Sequence, residues 1–198
     1  MRGEAAAKVN AMSLTTLLVP TFTQMLGTLS GWLDKAGRQS PGDAAEELLS
    51  ARLAPDMLPL STQVRFACVQ AHEAAHRLRG IEFPPIVAEL LDEGRQAEVR
   101  PGSMAQAQAR IAETIAFLNE LAPGALDADP NSALAHTLAN GMTFDLTAEQ
   151  YARDWVLGQF YFHVMTAYAI LRHAGADLGK ADYVAHLLPF LRAAPATA

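Results

Sequence analysis

The stretch Gln159-Phe160-Tyr161-Phe162-His163-Val164-Met165-Thr166-Ala167-Tyr168-Ala169-Ile170-Leu171-Arg172-His173-Ala174-Gly175 decides the fold class. Its length and apolar content predict a long helix that stops at a glycine, the residue that most readily takes the left-handed conformation closing helix ends. Aromatic and aliphatic side chains cover more than one of its sides, as in a helix that is central in a bundle or lies at a subunit interface. One polar ring, His163, shares a face with Val156 and Ile170, seven residues away on either side. A histidine so placed is either a buried group satisfied by a hydrogen-bond partner or a ligand in a site. The spacing leaves both open.

Working back from this helix, Thr147 and Gln150 form a capping box that starts it. Three other long helices are predicted. The first, Ser13 to Lys35, repeats Leu14, Leu17, Leu18, Phe22, Met25, Leu26, Leu29 and Leu33 at helical spacing, and Pro20 is expected to kink it or mark a break in its first turns. The second, Ser61 to Arg79, ends at Gly80 and carries a stripe of Val64, Ala67, Cys68, Ala71, Ala75 and Leu78 whose small members admit a close neighbour. The third, Ser103 to Leu121, turns Ala107, Ile111, Ile115, Leu118 and Leu121 inward. Short helices are expected at Ala44 to Leu53 and between Phe83 and Gly94. Between the third and fourth long helices, Asn140-Gly141 predicts a two-stranded hairpin, because both residues tolerate positive φ. The fold class is therefore all-α: a four-helix bundle with a small β-hairpin inserted before the fourth long helix. Residues 12–191 are expected to form a single domain, residues 1–11 an extension and residues 192–198 a disordered tail.

Composition narrows the function classes. Hydrophobic residues make up 51% of the 198 and charged residues 18%, which supplies a core and excludes a disordered chain. The net charge is -6 and the only lysines are Lys8, Lys35 and Lys180, so the electrostatic footprint of a nucleic-acid binder is missing. No apolar run approaches the ~18 residues of a membrane-spanning helix. The lone cysteine, Cys68, has no intrachain partner and reads as a small buried hydrophobe; a cytoplasmic location is expected. The aromatic excess of the fourth helix, Phe160 to Tyr168, predicts a homodimer, and a small-molecule ligand is the other partner considered.

Several residue sets could carry chemistry. His72 and His76 are four apart on the second helix, so their rings share a face at a spacing suited to chelating zinc, nickel or copper. The string His72-Glu73-Ala74-Ala75-His76 also matches His-Glu-x-x-His, in which the glutamate is a general base, but no third ligand follows downstream as a zinc protease requires. A catalytic zinc wants three protein ligands, and His163 is the best outside candidate. Asp154 and Trp155 are candidates for a pocket border. His136, His173 and His186 are expected to play no special role; His173, in a last helical turn, suits the helix dipole. No phosphate-binding glycine loop, Gly-x-Ser-x-Gly elbow or Cys-x-x-Cys pair is present.

Ala54-Pro55-Asp56-Met57-Leu58-Pro59-Leu60 with Gln63-Val64, Arg110-Ile111-Ala112 with Thr114-Ile115-Ala116-Phe117-Leu118, Phe160-Tyr161-Phe162-His163 with Thr166-Ala167-Tyr168, and Gly179-Lys180-Ala181-Asp182-Tyr183 together resemble the bacterial domain-of-unknown-function family numbered nineteen ninety-three. The resemblance runs from Met12 to about Leu188. That family is similar in fold to the DinB/YfiT-like metalloenzymes. The resemblance implies a metal held by a second-helix histidine, matched by His72, and by a His-x-x-x-His pair on the last long helix, matched by Gln159 and His163. Glutamine at the first position of the pair departs from the pattern and implies a degenerate site, with no metal or a weakly held zinc or nickel. The function expected is therefore small-molecule binding or a structural role; the wider relatives include thiol-dependent transferases and isomerases, and a metal-dependent transferase or isomerase is the alternative the resemblance implies.

Overall fold

The computed structural model describes residues 13–40 and 42–192. The expected extension and, apart from Arg192, the expected tail lie outside them. The chain is mostly helical with one small antiparallel sheet. Eight α-helices occur among the described residues: α1 (Leu14–Gln39), α2 (Ala44–Glu47), α3 (Leu60–Leu78), α4 (Pro85–Gln96), α5 (Met104–Asn119), α6 (Ala148–Gln150), α7 (Leu157–His173) and α8 (Lys180–Tyr183). The longest are α1, α3, α5 and α7, and they pack on one another, α3 on α7 and α5, and α1 on α5 and α7. α4 lies along α3.

Local sequence explains the helix ends. Ser13 Oγ accepts the Thr16 amide at 3.1 Å to start α1. Asp127 binds the same turn from the far side of the chain, accepting the Thr15 amide and the Ser13 and Thr15 hydroxyls at 2.9 Å each. Ser103 with Gln106 and Thr147 with Gln150 form full capping boxes. Gly80 and Gly175 take positive φ, and each closes a helix with the paired bonds of a Schellman motif: Ile81 N to His76 O and Gly80 N to Arg77 O, then Ala176 N to Leu171 O and Gly175 N to Arg172 O. α1 runs on as one helix through Pro20, which lies on its exposed side.

The core is built on the expected stripes. Phe22 of α1 meets Phe160 of α7 edge to face, with centroids 4.7 Å apart. Trp32, also buried, meets Tyr168 at 5.1 Å and stacks on Tyr183. Cys68 is buried and its thiol is pushed up to about 11 by burial, which makes it inert. The aromatics of α7 are therefore mostly spent inside the chain, and Phe162 is the one that is exposed.

Three expectations are corrected. The short helix at Ala44 to Leu53 ends at Glu47 and continues as a 3-10 turn, Leu48–Ser50. The fourth long helix is not uniformly α-helical: between α6 and α7 the segment Tyr151–Val156 winds as a π-helix. Periodicity does not announce a π segment, which amounts to one extra residue in the turn. The hairpin forms from β1 (Ala133–Thr137) and β2 (Thr143–Thr147), with His136 opposite Phe144. Its loop is a three-residue connection rather than a two-residue one. Only Gly141 has positive φ, Leu138 and Met142 close the loop, and Asn140 instead uses its side chain to accept the Met142 amide at 3.1 Å.

Candidate functional site

Four groups of polar side chains, wholly or partly buried, lie along α3. Near its start, Gln63 meets His163 of α7. The ring Nδ1 donates to Gln63 Oε1 at 2.9 Å, and the Gln63 amide nitrogen donates to Leu58 O at 3.1 Å, which orients the glutamine. The imidazole lies between the edges of Phe66 at 5.4 Å and Phe162 at 5.3 Å. Burial lowers its pKa to about 4, so the ring is neutral at pH 7.

The residues matched to a metal site are not drawn together. His163 reaches α3 at Gln63, and His72 is nine residues further along that helix, roughly 13 Å at the α-helical rise. Gln159 is half-buried and its side chain bonds to no other described residue. His163 keeps one free ring nitrogen, but its ring neighbours are aromatic and its bonded neighbour is an amide. Among the described residues no cluster of three or more His, Cys, Asp or Glu side chains could hold an ion. The donor set around His163 does not fit the three-ligand centre that the fold family implies.

His72 and His76 lie at mid-helix and both stack on Phe117 of α5, with centroids at 4.5 and 5.2 Å. His76 Nδ1 donates to the His72 carbonyl at 2.7 Å. Both ring nitrogens of His72 are buried without a partner, and burial lowers its pKa to about 4, with His76 adding to the effect and Glu113 opposing it.

A third group was missed in the sequence. His136 of β1 packs on Trp155 at 4.3 Å and Tyr151 at 5.5 Å, both from the π segment. The Tyr151 hydroxyl, both His136 nitrogens and the Trp155 indole nitrogen are buried and unpartnered, and so is Arg77 Nε of α3. Burial raises the Tyr151 hydroxyl pKa, and Glu73 adds to the rise. Glu73 is itself raised by burial, against Arg77 and Arg95. The available signals were Tyr151 and Trp155 four apart and the alternation of β1, which turns His136 to the bundle. Asp154, paired with Arg153 on the surface, takes no part. His173 is exposed.

The fourth place is a charged cleft of about 430 Å³ between α3, α4 and α5, lined by Arg65, Arg100, Arg110, Asp92, Glu93 and Glu113 among others. Glu93 bridges the two helices that face it. It accepts Arg65 Nε at 3.2 Å and Arg110 Nε at 3.0 Å. Burial works to raise the Glu93 carboxyl, but the hydrogen bonds and charges of Arg110 and Arg65 outweigh it and hold the group below the usual carboxylate range.

Comparison with known proteins places this geometry. No curated protein matches the chain. A crystal structure of a DinB family member protein from Shewanella denitrificans is similar over 93% of this chain and 95% of its own, with 28% identity and a TM-score of 0.67. The model of the family described as a domain of unknown function, DUF1993, matches residues 14–184, and the chain belongs to that family.

Proposed function

We propose that this protein is a single-domain, DinB-like four-helix bundle that binds a small molecule and whose family-type metal position has become a structural hydrogen bond. The observation that carries the reading is the His163–Gln63 pair, 2.9 Å long and enclosed by Phe66 and Phe162. A neutral imidazole oriented by an amide and flanked by aromatic edges supplies at most one ligand atom. The test is elemental analysis of purified, dialysed protein. Far less than one zinc or nickel per chain is expected; one tightly held ion per chain overturns the reading.

The alternative, a metal-dependent thiol transferase or isomerase, is favoured by one observation: the unpartnered nitrogens of buried, neutral His72 beside His76. A ligating histidine must be deprotonated, and this one is. Metal retained by His163→Ala and lost by His72→Ala would establish this second reading in place of the first.

The assembly in this reading is a cytoplasmic homodimer. The exposed side chains of Phe162 and Met165 on α7 support a self-association face there, and closed two-fold dimers are the commonest soluble oligomers. Light scattering at micromolar concentration is expected to give the dimer mass; the monomer mass counts against it.

A further inference from the structure

We infer that the cleft between α3, α4 and α5 is a binding site for a small zwitterionic carboxylate of the α-amino-acid type, with Arg65 receiving the carboxylate. The assignment deepens the small-molecule reading above and is independent of whether any metal is held at His163 or His72.

Arg65 is the centre of the argument. Its side chain is only 3% exposed, yet it reaches the cleft. Nε is engaged by Glu93, and Nη2, which lies beside Gly102, is bonded to no other described residue. The backbone beside it is cut away to admit the guanidinium. Gly102 has φ 75°, and a Cβ at that position would stand 2.9 Å from Arg65 Nη2 and 2.7 Å from Gln106 Oε1. Any larger residue would close on the arginine. A guanidinium nitrogen without a protein partner, beside a glycine that leaves it room, is the arrangement an incoming oxygen acceptor completes.

The neighbouring charges select the class of ligand. Arg110 is spent: Nε binds Glu93, Nη1 binds Glu113 at 2.9 Å and Nη2 binds Glu89 at 3.2 Å as well as Glu93. Arg100 has no ion-pair partner among the described residues, so it and Arg65 are the cations available to an anion. Asp92 likewise has no cationic partner; its one hydrogen bond comes from the neutral Gln96 amide. The lining thus offers one partly free and one free cation, and one free carboxylate, against three arginines and three acids in all. A phosphate dianion would sit among Asp92, Glu93 and Glu113 and be repelled. A zwitterion instead sets its carboxylate against Arg65 and Arg100 and its ammonium against Asp92. The volume lies in the range of small-molecule clefts.

The test is calorimetric titration of the full chain with L-alanine and L-glutamine, then with acetate, methylammonium and inorganic phosphate. At least one amino acid is expected to bind, with acetate and methylammonium weaker by about tenfold or more, the worth of one charge-assisted hydrogen bond. Phosphate is expected to bind more weakly than the amino acid. Arg65→Gln should lose about tenfold or more in affinity. Should that variant fail to fold, Arg100→Gln and Asp92→Asn, both on exposed residues, each carry the test: a loss of about fivefold or more, with the unfolding midpoint unchanged, supports the site. Absence of binding by either amino acid, phosphate binding the tighter, or affinity unaltered in Arg100→Gln and Asp92→Asn overturns it. The metal analysis reads His163 and His72 and this titration reads Arg65, so failure of one leaves the other legible.

Discussion

Acidification from pH 6.5 to 4 is expected to remove on the order of 6 kcal/mol of folding stability through two histidines, roughly 3 kcal/mol each from the cost of a shift of that size. His72 and His163 both fall from 6.5 in the unfolded chain to about 4 in the folded one, because burial penalises the imidazolium. A group depressed in this way binds more protons when unfolded. Its contribution is complete above 6.5 and drains away as the pH falls through the window to 4. His136, lowered to about 4 by burial with Arg77 assisting, acts in the same sense from the inward face of the hairpin. Around His72 the charges are His76, which lowers it further, and Glu113, which resists. The buried Glu73 works in the opposite sense, since its raised carboxyl pKa favours the folded state as the pH falls. The net loss approaches the whole stability of an ordinary domain. Urea unfolding at pH 7, 6, 5 and 4.5 measures it. A flat profile would show that these rings take up protons as readily in the folded protein as in the unfolded chain, and His72→Phe should make the profile shallower.

His163→Ala is expected to cost roughly 3 kcal/mol, by the same amount with and without chelator. The substitution leaves Gln63 Oε1 buried and unpaired, worth ~1–3 kcal/mol. It also empties an imidazole-sized space between Phe66 and Phe162 that packed helices fill only in part. If chelator brings the wild type down to the variant, the ring is a ligand and the hydrogen bond is incidental. A paired substitution, Gln63→Leu with His163→Leu, should recover much of the loss, because two apolar groups of similar shape leave nothing unsatisfied. The cycle of single and double variants then isolates the coupling of the pair.

The helices were legible because their signals are local. The Thr147–Gln150 box, the glycines at 80 and 175 and the leucine spacing of α1 depend on residues within a few turns of one another. The partners of the histidines were not legible, since these depend on register between helices. His72 was matched to His163 by resemblance, but α3 slides past α7 so that Gln63 faces that ring. Nothing in the spacing of either helix fixes that slide, which is set by packing of the whole stripe. The same limit hid His136, whose neighbours come from a hairpin and a π segment. Nothing in the sequence singles out Arg65; its burial follows from Glu93 on α4 and Gly102 before α5, which no one-dimensional pattern joins.

The π segment at Tyr151–Val156 has a consequence for how length variation could act here. A π turn stores one residue more than the α-helical path needs, so Tyr151 and Thr147 are out of phase with α7 by about 100°. Removal of one residue from the segment would let the helix relax to a single α path while α7 keeps its seat on α1 and α3. The hairpin would then hold its place, because the residue removed is the one the wide turn had absorbed, and only side chains within the segment, Trp155 beside His136 among them, would change face. One codon's worth of chain is thus slack held in the segment, which can be lost there without moving the hairpin, whereas the same loss within α7 would turn one part against the other by about 100°.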